Sequence, residues 1–379
     1  MIGSINSKSK ACASLMLIIL LMLSAVGLRG RAWSRPPATY ITLNGSEGVS
    51  RIALAKAIEP FFAPGKVGAT QALLVMHDGK LIVERYGEGI GPDTKLLSRS
   101  IGKTVTAALV GLMVSDGRLA LDTPVPVEAW SQPGDPRGTI TLRHLLQMTS
   151  GLEHKEKTEP LYDSDTVRML FTDGAQDMAA FAEAKPIADP PGSRFTYSTA
   201  DTLIISDLMT RMLTDSKRPD ARRDAMMEFV KGRLMAPVGL ASLTPEFDAQ
   251  GTMIGGAMMH MTARDYIRFG EFLRHKGRVN GHQVLSARWV DFMTAPSLRN
   301  PAYGGQLWLN REGQDDSPGP LFPGEGSKRI FAAVGQHGQY LLVAPGQRLV
   351  ILRMGVTNGE KQSQALRDAI ARLVQLFPA

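Results

Sequence analysis

Residues 97–122, LSRSIGKTVTAALVGLMVSDGRLALD, read as a buried helix with chemistry at its first turn. From Val105 to Val114 the apolar residues are nearly continuous, and a helix that is apolar all round belongs inside a protein. Ser98 or Ser100 is placed to cap its start, and Gly117 to end it in a left-handed turn. Ser100 and Lys103 stand three residues apart at that start, so their side chains share one face. A hydroxyl beside an amine in a dry pocket is a route to a nucleophilic serine: desolvation lowers the lysine pKa, and the neutral amine takes the serine proton. The helix N-terminus also favours negative charge developing there. The spacing alone is weak, because Ser7 and Lys10 share it and about one chance Ser-x-x-Lys is expected in a chain this long. The setting singles out Ser100; a capping serine with a surface lysine is the alternative.

Outward from this helix, the preceding stretch ALLVMHDGKLIVERYGEG carries two β-rich runs around Asp78-Gly79, a strong hairpin signal. Before it, residues 49–62 have helical spacing, and 33–48 read as a linker or extended lead-in. After it come Pro/Gly-rich loop, a short helix capped by Thr141, a polar Pro-containing stretch from 153 to 195, and helices over 201–213 and 221–235. Thr262 and Ser286 cap two further helices. The period then changes: 304–309, 330–334, 340–344 and 349–355 read as strands, and 361–376 as an amphipathic helix. Strands thus cluster near both ends with helices between. The economical architecture is α/β (α+β): an antiparallel sheet from residues 49–114 and 256–379, flanked by N- and C-terminal helices, with a helical domain inserted at 115–255. The Ser100 helix lies where the two parts meet, a common place for a pocket.

Composition narrows the function. The 379 residues are 44% hydrophobic, enough for a large core. Lys8, Lys10, Arg29 and Arg31 supply four of the seven net positive charges, with no acidic residue before position 33. The remaining balance and the absence of Lys/Arg runs give no case for nucleic acid. Lys8 and Lys10 precede ACASLMLIILLMLSAVGL, residues 11–28, a basic region followed by an apolar one. Residues 1–32 therefore read as a signal peptide, cleaved after Gly27 or Ala32, or as an uncleaved membrane anchor. Either way the expectation is an exported, periplasmic or secreted protein whose only membrane contact is an uncleaved N-terminus. The single cysteine, Cys12, lies in that segment, so the exported part has no thiol chemistry. There is no Gly-x-Ser-x-Gly elbow, no His-Glu-x-x-His and no phosphate-binding loop; no metal and no cofactor is expected.

Four stretches in this order resemble the serine β-lactamase and penicillin-binding-protein superfamily, in particular its branch of class C β-lactamases, D-Ala-D-Ala carboxypeptidases, family VIII esterases and 6-aminohexanoate-oligomer hydrolases. They are Ser100-Ile101-Gly102-Lys103, LRHLLQMTSGL at 142–152, PPGSRFTYST at 190–199 and GQHGQYL at 335–341. The resemblance implies a β-lactamase/transpeptidase-like fold and an acyl-enzyme on Ser100, with Lys103 and Tyr197 moving protons as phenolate or coupled phenol. It implies an oxyanion hole from the backbone N–H groups of Ser100 and Gln339, with Gly338 allowing substrate to approach the strand. Thr199 stands where the family has asparagine, Gln336 where it has lysine, and His337 where it has threonine; Thr199, His337 and Gly338 are the expected substrate contacts. Losing that lysine argues against β-lactam or peptide carboxylates. Asp163 and Asp165 are either receptors for a substrate amine or solvated loop carboxylates. His144, His154 and His260 read as structural. The expected function is an exported serine hydrolase acting on a small-molecule ester or amide. The alternatives are a D-Ala-D-Ala carboxypeptidase or weak β-lactamase, and a non-catalytic binding protein that keeps the fold.

Overall fold

The computed structural model describes residues 40–314 and 319–378. The apolar segment 11–28 and both candidate cleavage sites lie outside the described residues. Among those described, no helix is long and apolar enough to cross a membrane.

The end of the expected lead-in is β1 (Tyr40–Leu43), an edge strand on the main sheet. Ser50 caps α1 (Arg51–Phe62) by accepting the Ala53 N–H. Strands β2 (Ala69–His77) and β3 (Lys80–Tyr86) follow, joined by Asp78-Gly79 with both residues at positive φ, as a two-residue hairpin requires. A three-residue strand, β4 (Lys95–Leu97), leads into the central helix α2 (Ile101–Ser115), which is buried from Ile101 to Met113. Gly117 ends it at φ 70°, with Arg118 N–H reaching back to the Met113 carbonyl.

Short helices joined by long loops follow: α3 (Leu142–Leu146), α4 (Asp165–Phe171), α5 (Met178–Glu183), α6 (Thr199–Leu213) and α7 (Pro219–Val230), the last running into a π-helical turn over Lys231–Met235. Strands β5 (Thr244–Pro245) and β6 (Met259–Thr262) pair with β4 in a small sheet too short to leave a periodic signal in the sequence. Helix α8 (Ala263–Arg274), the hairpin β7–β8 (Arg278–Val279, His282–Gln283) and α9 (Ala287–Thr294) lead to β9 (Trp308–Leu309), β10 (Phe331–Gly335), β11 (Gln339–Ala344), β12 (Leu349–Val356) and the final helix α10 (Gly359–Gln375).

The main sheet is antiparallel throughout, in the order β1-β3-β2-β12-β11-β10-β9. Its central strands are buried on both faces, and alternate residues belong to different cores. Leu349 and Ile351 pack with Leu54 and Ile58 of α1 and Ile370 and Leu373 of α10. Val350 and Leu352 pack on the opposite side with Leu109 of α2 and Phe269 of α8. This two-sided coverage is why β11 and β12 are nearly continuous in apolar residues. Helix α2 is locked by Gly111: a Cβ there would stand 2.2 Å from the Trp289 ring, whose Nε1 donates to the Ala107 carbonyl at 2.9 Å.

Candidate active site

Ser100 occupies the cap position of α2 but does not cap it: its side chain makes no capping bond and its backbone is already helical. Ser98 does not cap either; its hydroxyl donates to Arg99 O and accepts from the Met259 N–H, tying the helix start to β6. The Ser100 hydroxyl is thus left for other partners. Lys103, one turn on, is fully buried, and its Nζ lies 3.3 Å from Ser100 Oγ, 2.9 Å from Thr199 Oγ1 and 2.9 Å from the Gly256 carbonyl. Burial pulls its pKa down to about 8, against the nearby carboxylates of Glu156 and Asp201, which raise it. An amine this close to neutral pH is a usable base.

Tyr197 arrives from a segment braced by the 148–152 turn. Met148 O accepts the Thr196 N–H, Thr149 O accepts the Gly192 N–H, and Met148 sulfur accepts the Ser198 N–H. The stretch LRHLLQMTSGL therefore acts as a clamp on the tyrosine. Tyr197 lines the same cleft as Ser100, and its ring centroid lies 5.0 Å from Lys103 Nζ. Burial, and then the charge of Glu156, push its pKa above the usual 10. A pKa held above the usual value favours the coupled phenol of the two forms expected for Tyr197.

Thr199 begins α6 and connects Lys103 to a residue with no signal in the sequence, Glu156. Thr199 Oγ1 donates to Glu156 Oε1 at 2.6 Å, and the Thr199 N–H to Oε2 at 2.7 Å. Oε2 also meets Thr166 Oγ1 at 2.9 Å and His154 Nε2 at 3.0 Å. Glu156 is desolvated, but these bonds and the Lys103 charge outweigh that and hold its pKa down at about 2. His154 is buried and holds Glu156. Gly255 and Gly256 let this region close up: a Cβ on Gly255 would meet Thr106 Oγ1 at 2.4 Å and Ser206 Oγ at 2.5 Å.

Ser100, Tyr197, Thr199 and Glu156 line a cleft of about 950 Å3. One wall is apolar, from Leu161, Val167, Leu170 and Phe171. Another carries the Glu246–His260 pair, 2.5 Å apart. The strand wall is formed by the residues just before the expected pair. Val334, Gly335, Gln336 and His337 line the cleft, whereas Gly338 and Gln339 do not. Gly338 faces the other side of the sheet, where a Cβ would meet Leu366 and Thr357; Gln339 starts β11, paired with Gly335. Gly335 is the residue pressed against the nucleophile's segment, its Cβ position 3.0 Å from Ser98 O. Among the described residues, neither the Ser100 nor the Gln336 N–H makes a backbone hydrogen bond. The fully buried Arg353 fixes this loop by donating to the His337 carbonyl at 3.2 Å and the Gly338 carbonyl at 2.8 Å.

Of the two readings for Asp163 and Asp165, the solvated one fits Asp163, which is exposed, but not Asp165. Asp165 is buried, paired with Lys185 Nζ at 2.5 Å and accepting the Lys155 N–H at 2.8 Å, so it braces a loop. Asp163 closes a turn and does not line the cleft. His144 completes a capping box with Thr141.

The Beta-lactamase family matches residues 55–376. The chain belongs to the beta-lactamase family. Like other members it is an enzyme, a serine hydrolase. A 6-aminohexanoate-dimer hydrolase of Paenarthrobacter ureafaciens is 22% identical over 313 residues, covering 75% of this chain and 72% of the relative. Among solved structures, a family VIII carboxylesterase superposes with a TM-score of 0.63 at 15% identity, covering 88% of this chain and 100% of that one. A penicillin-binding protein homolog from Caulobacter crescentus gives 0.60 at 18% identity, over 88% and 99%. At such identities the likeness is one of fold, and it agrees with the β-lactamase/transpeptidase-like architecture of this beta-lactamase-family chain.

Proposed function

We propose that this serine hydrolase cleaves a small ester or linear amide through an acyl-enzyme on Ser100. The observation that carries the reading is Lys103: a fully buried amine, 3.3 Å from an uncapped serine hydroxyl, with its pKa lowered to about 8. Neutral Lys103 takes the Ser100 proton as Oγ bonds to the substrate carbonyl carbon. The oxyanion meets the N–H groups of Ser100 and Gln336, the latter replacing the expected Gln339 because it stands in the cleft wall. The intermediate collapses, the carbonyl–leaving-group bond breaks, and the leaving group takes a proton from Tyr197, which Lys103 restores. Water then releases the acid by the reverse sequence.

The apolar wall at Leu161, Val167, Leu170 and Phe171 suits an uncharged substrate portion. The hydrolase named for 6-aminohexanoate dimer and the family VIII carboxylesterase fit an amide or ester as substrate. The basic residues Lys8 and Lys10 before the apolar stretch 11–28 support export, with the N-terminus cleaved or retained as an anchor.

A fluorophosphonate probe tests the mechanism: labelling at Ser100, lost in Ser100→Ala, is expected. Folded wild-type protein that does not label is a binding protein instead. Parallel turnover of p-nitrophenyl esters and nitrocefin tests the substrate; fast nitrocefin hydrolysis without esterase activity would replace the ester reading with β-lactamase activity.

A further inference from the structure

We propose that Glu156 is a positioning residue: acting through Thr199, it aims the lone pair of neutral Lys103 at Ser100. The inference rests on the serine-hydrolase mechanism above. It follows from counting donors and acceptors around one nitrogen.

Lys103 Nζ has three polar neighbours: Ser100 Oγ, Thr199 Oγ1 and the Gly256 carbonyl. The carbonyl only accepts. Thr199 has a single hydroxyl proton, and the 2.6 Å contact to Glu156 Oε1 uses it, because an ionised carboxylate only accepts. Glu156 is kept ionised by the donors converging on Oε2: the Thr199 N–H, Thr166 Oγ1 and His154 Nε2. The tautomer of His154 follows from this network, with the proton on Nε2. Thr199 must therefore turn a lone pair toward the lysine.

A neutral amine has two N–H bonds and one lone pair. With Thr199 Oγ1 and Gly256 O each taking an N–H, the lone pair falls on the Ser100 side. That is the orientation in which Ser100 O–H donates to nitrogen and loses its proton. Once Lys103 is protonated, all three neighbours can accept, so nothing needs to reorient during the transfer. The pair Thr199–Glu156 thus supplies a fixed acceptor to the amine.

A glutamine at 156 breaks the logic. Its NH2 can donate to Thr199 Oγ1, and the threonine proton is then free to point at the lysine lone pair and compete with Ser100. Charge gives a second, independent readout. The groups acting on Lys103 are Glu156 and Asp201, both raising its pKa, with the Tyr197 ring alongside. Lys103 and His154 face Glu156 itself. Arg99, Lys157 and the Glu246–His260 pair line the cleft further out. Removing the Glu156 charge leaves desolvation less opposed, so the lysine loses its proton at lower pH.

The experiment is the pH profile of kcat/KM and of fluorophosphonate labelling for wild type, Glu156→Gln and Thr199→Val. Glu156→Gln should lower the plateau about tenfold or more while moving the rising limb to lower pH. Thr199→Val keeps the charge and removes the hydroxyl, so its plateau should fall with no downward move of the limb. An unchanged plateau in either variant overturns the proposal, as does a lowered Glu156→Gln plateau with an unmoved limb, which is the mark of a merely structural residue. If Glu156→Gln does not fold, the Thr199→Val plateau decides alone. A wild type that does not label at Ser100 overturns the proposed function and this inference with it; a labelled wild type isolates the test to Glu156.

Discussion

The Tyr197 ring lies nearly flat on Trp308, with centroids 5.7 Å apart and planes at 19°. Tyr303 closes a second side edge-on at 6.0 Å. The phenol is held by aromatic packing, its burial raises its pKa, and in the proposed mechanism it serves as the acid. Tyr197→Phe should therefore cost alkyl esters and amides about 10²–10⁴ in kcat, the usual range for a general acid. It should cost p-nitrophenyl esters much less, because p-nitrophenolate leaves without a proton. Equal losses on both substrate types would show that Tyr197 acts in the attack step instead.

The same cleft sets the pH response of the wild type. Lys103 is a base only when neutral, and its pKa is lowered to about 8 by burial. Activity should be low below that pH and rise through it. Lys103→Met should abolish the limb and lower turnover by about 10²–10⁴. A flat profile from pH 6 to 9 with Lys103 intact would contradict its role.

Backbone chemistry at the strand wall separates Gln336 from its side chain. Gln336→Ala keeps the N–H and should retain most activity. Gln336→Pro removes it, and the loss of one oxyanion donor is worth about 10²–10³ in kcat. Thermal melts of both variants check that the loop, held from behind by Arg353, still folds.

Gly111→Ala tests the packing of α2. The added Cβ would stand 2.2 Å from Trp289, so either the ring or the helix must move. Overpacking of this kind costs about 1–3 kcal/mol, read as a lowered midpoint in denaturant with an unchanged slope.

Asp201 gives a stability signature. It is fully buried, one oxygen bonded to Ser150 and the other without a partner, and desolvation raises its pKa to about 7. Its folded pKa lies above its unfolded one, so the neutral carboxyl stabilises the fold at low pH, and that contribution is lost as pH rises through about 7. Asp201→Asn cannot ionise. The fall in Tm between pH 5.5 and 8.5 should shrink in this variant, and an unchanged fall would place the pH sensitivity elsewhere.

Much of this protein is legible along the chain. The Asp78-Gly79 hairpin, the all-apolar α2, and the strands β10 to β12 follow from periodicity and turn chemistry, because those signals are local. Ser100, Lys103 and Tyr197 were visible through their motifs. Strand β1 and the small β4–β6–β5 sheet were not, since two to four residues carry no period. Gly335 and Gly338 are both plausible sites of close approach in GQHGQYL, and only the register of β10 on β11 decides that the first faces the cleft.

Local composition and patterning, then, were sufficient for the longer elements and for singling out Ser100 with Lys103, which share one helical turn. The burial of Tyr197, the cleft wall and the contacts of Glu156 come from the folded chain. Glu156 is one glutamate in a polar loop, 43 positions from Thr199, which is itself 96 positions from Lys103. Desolvation and hydrogen-bond direction are properties of what surrounds an atom, and here those surroundings come from distant segments that meet only on folding.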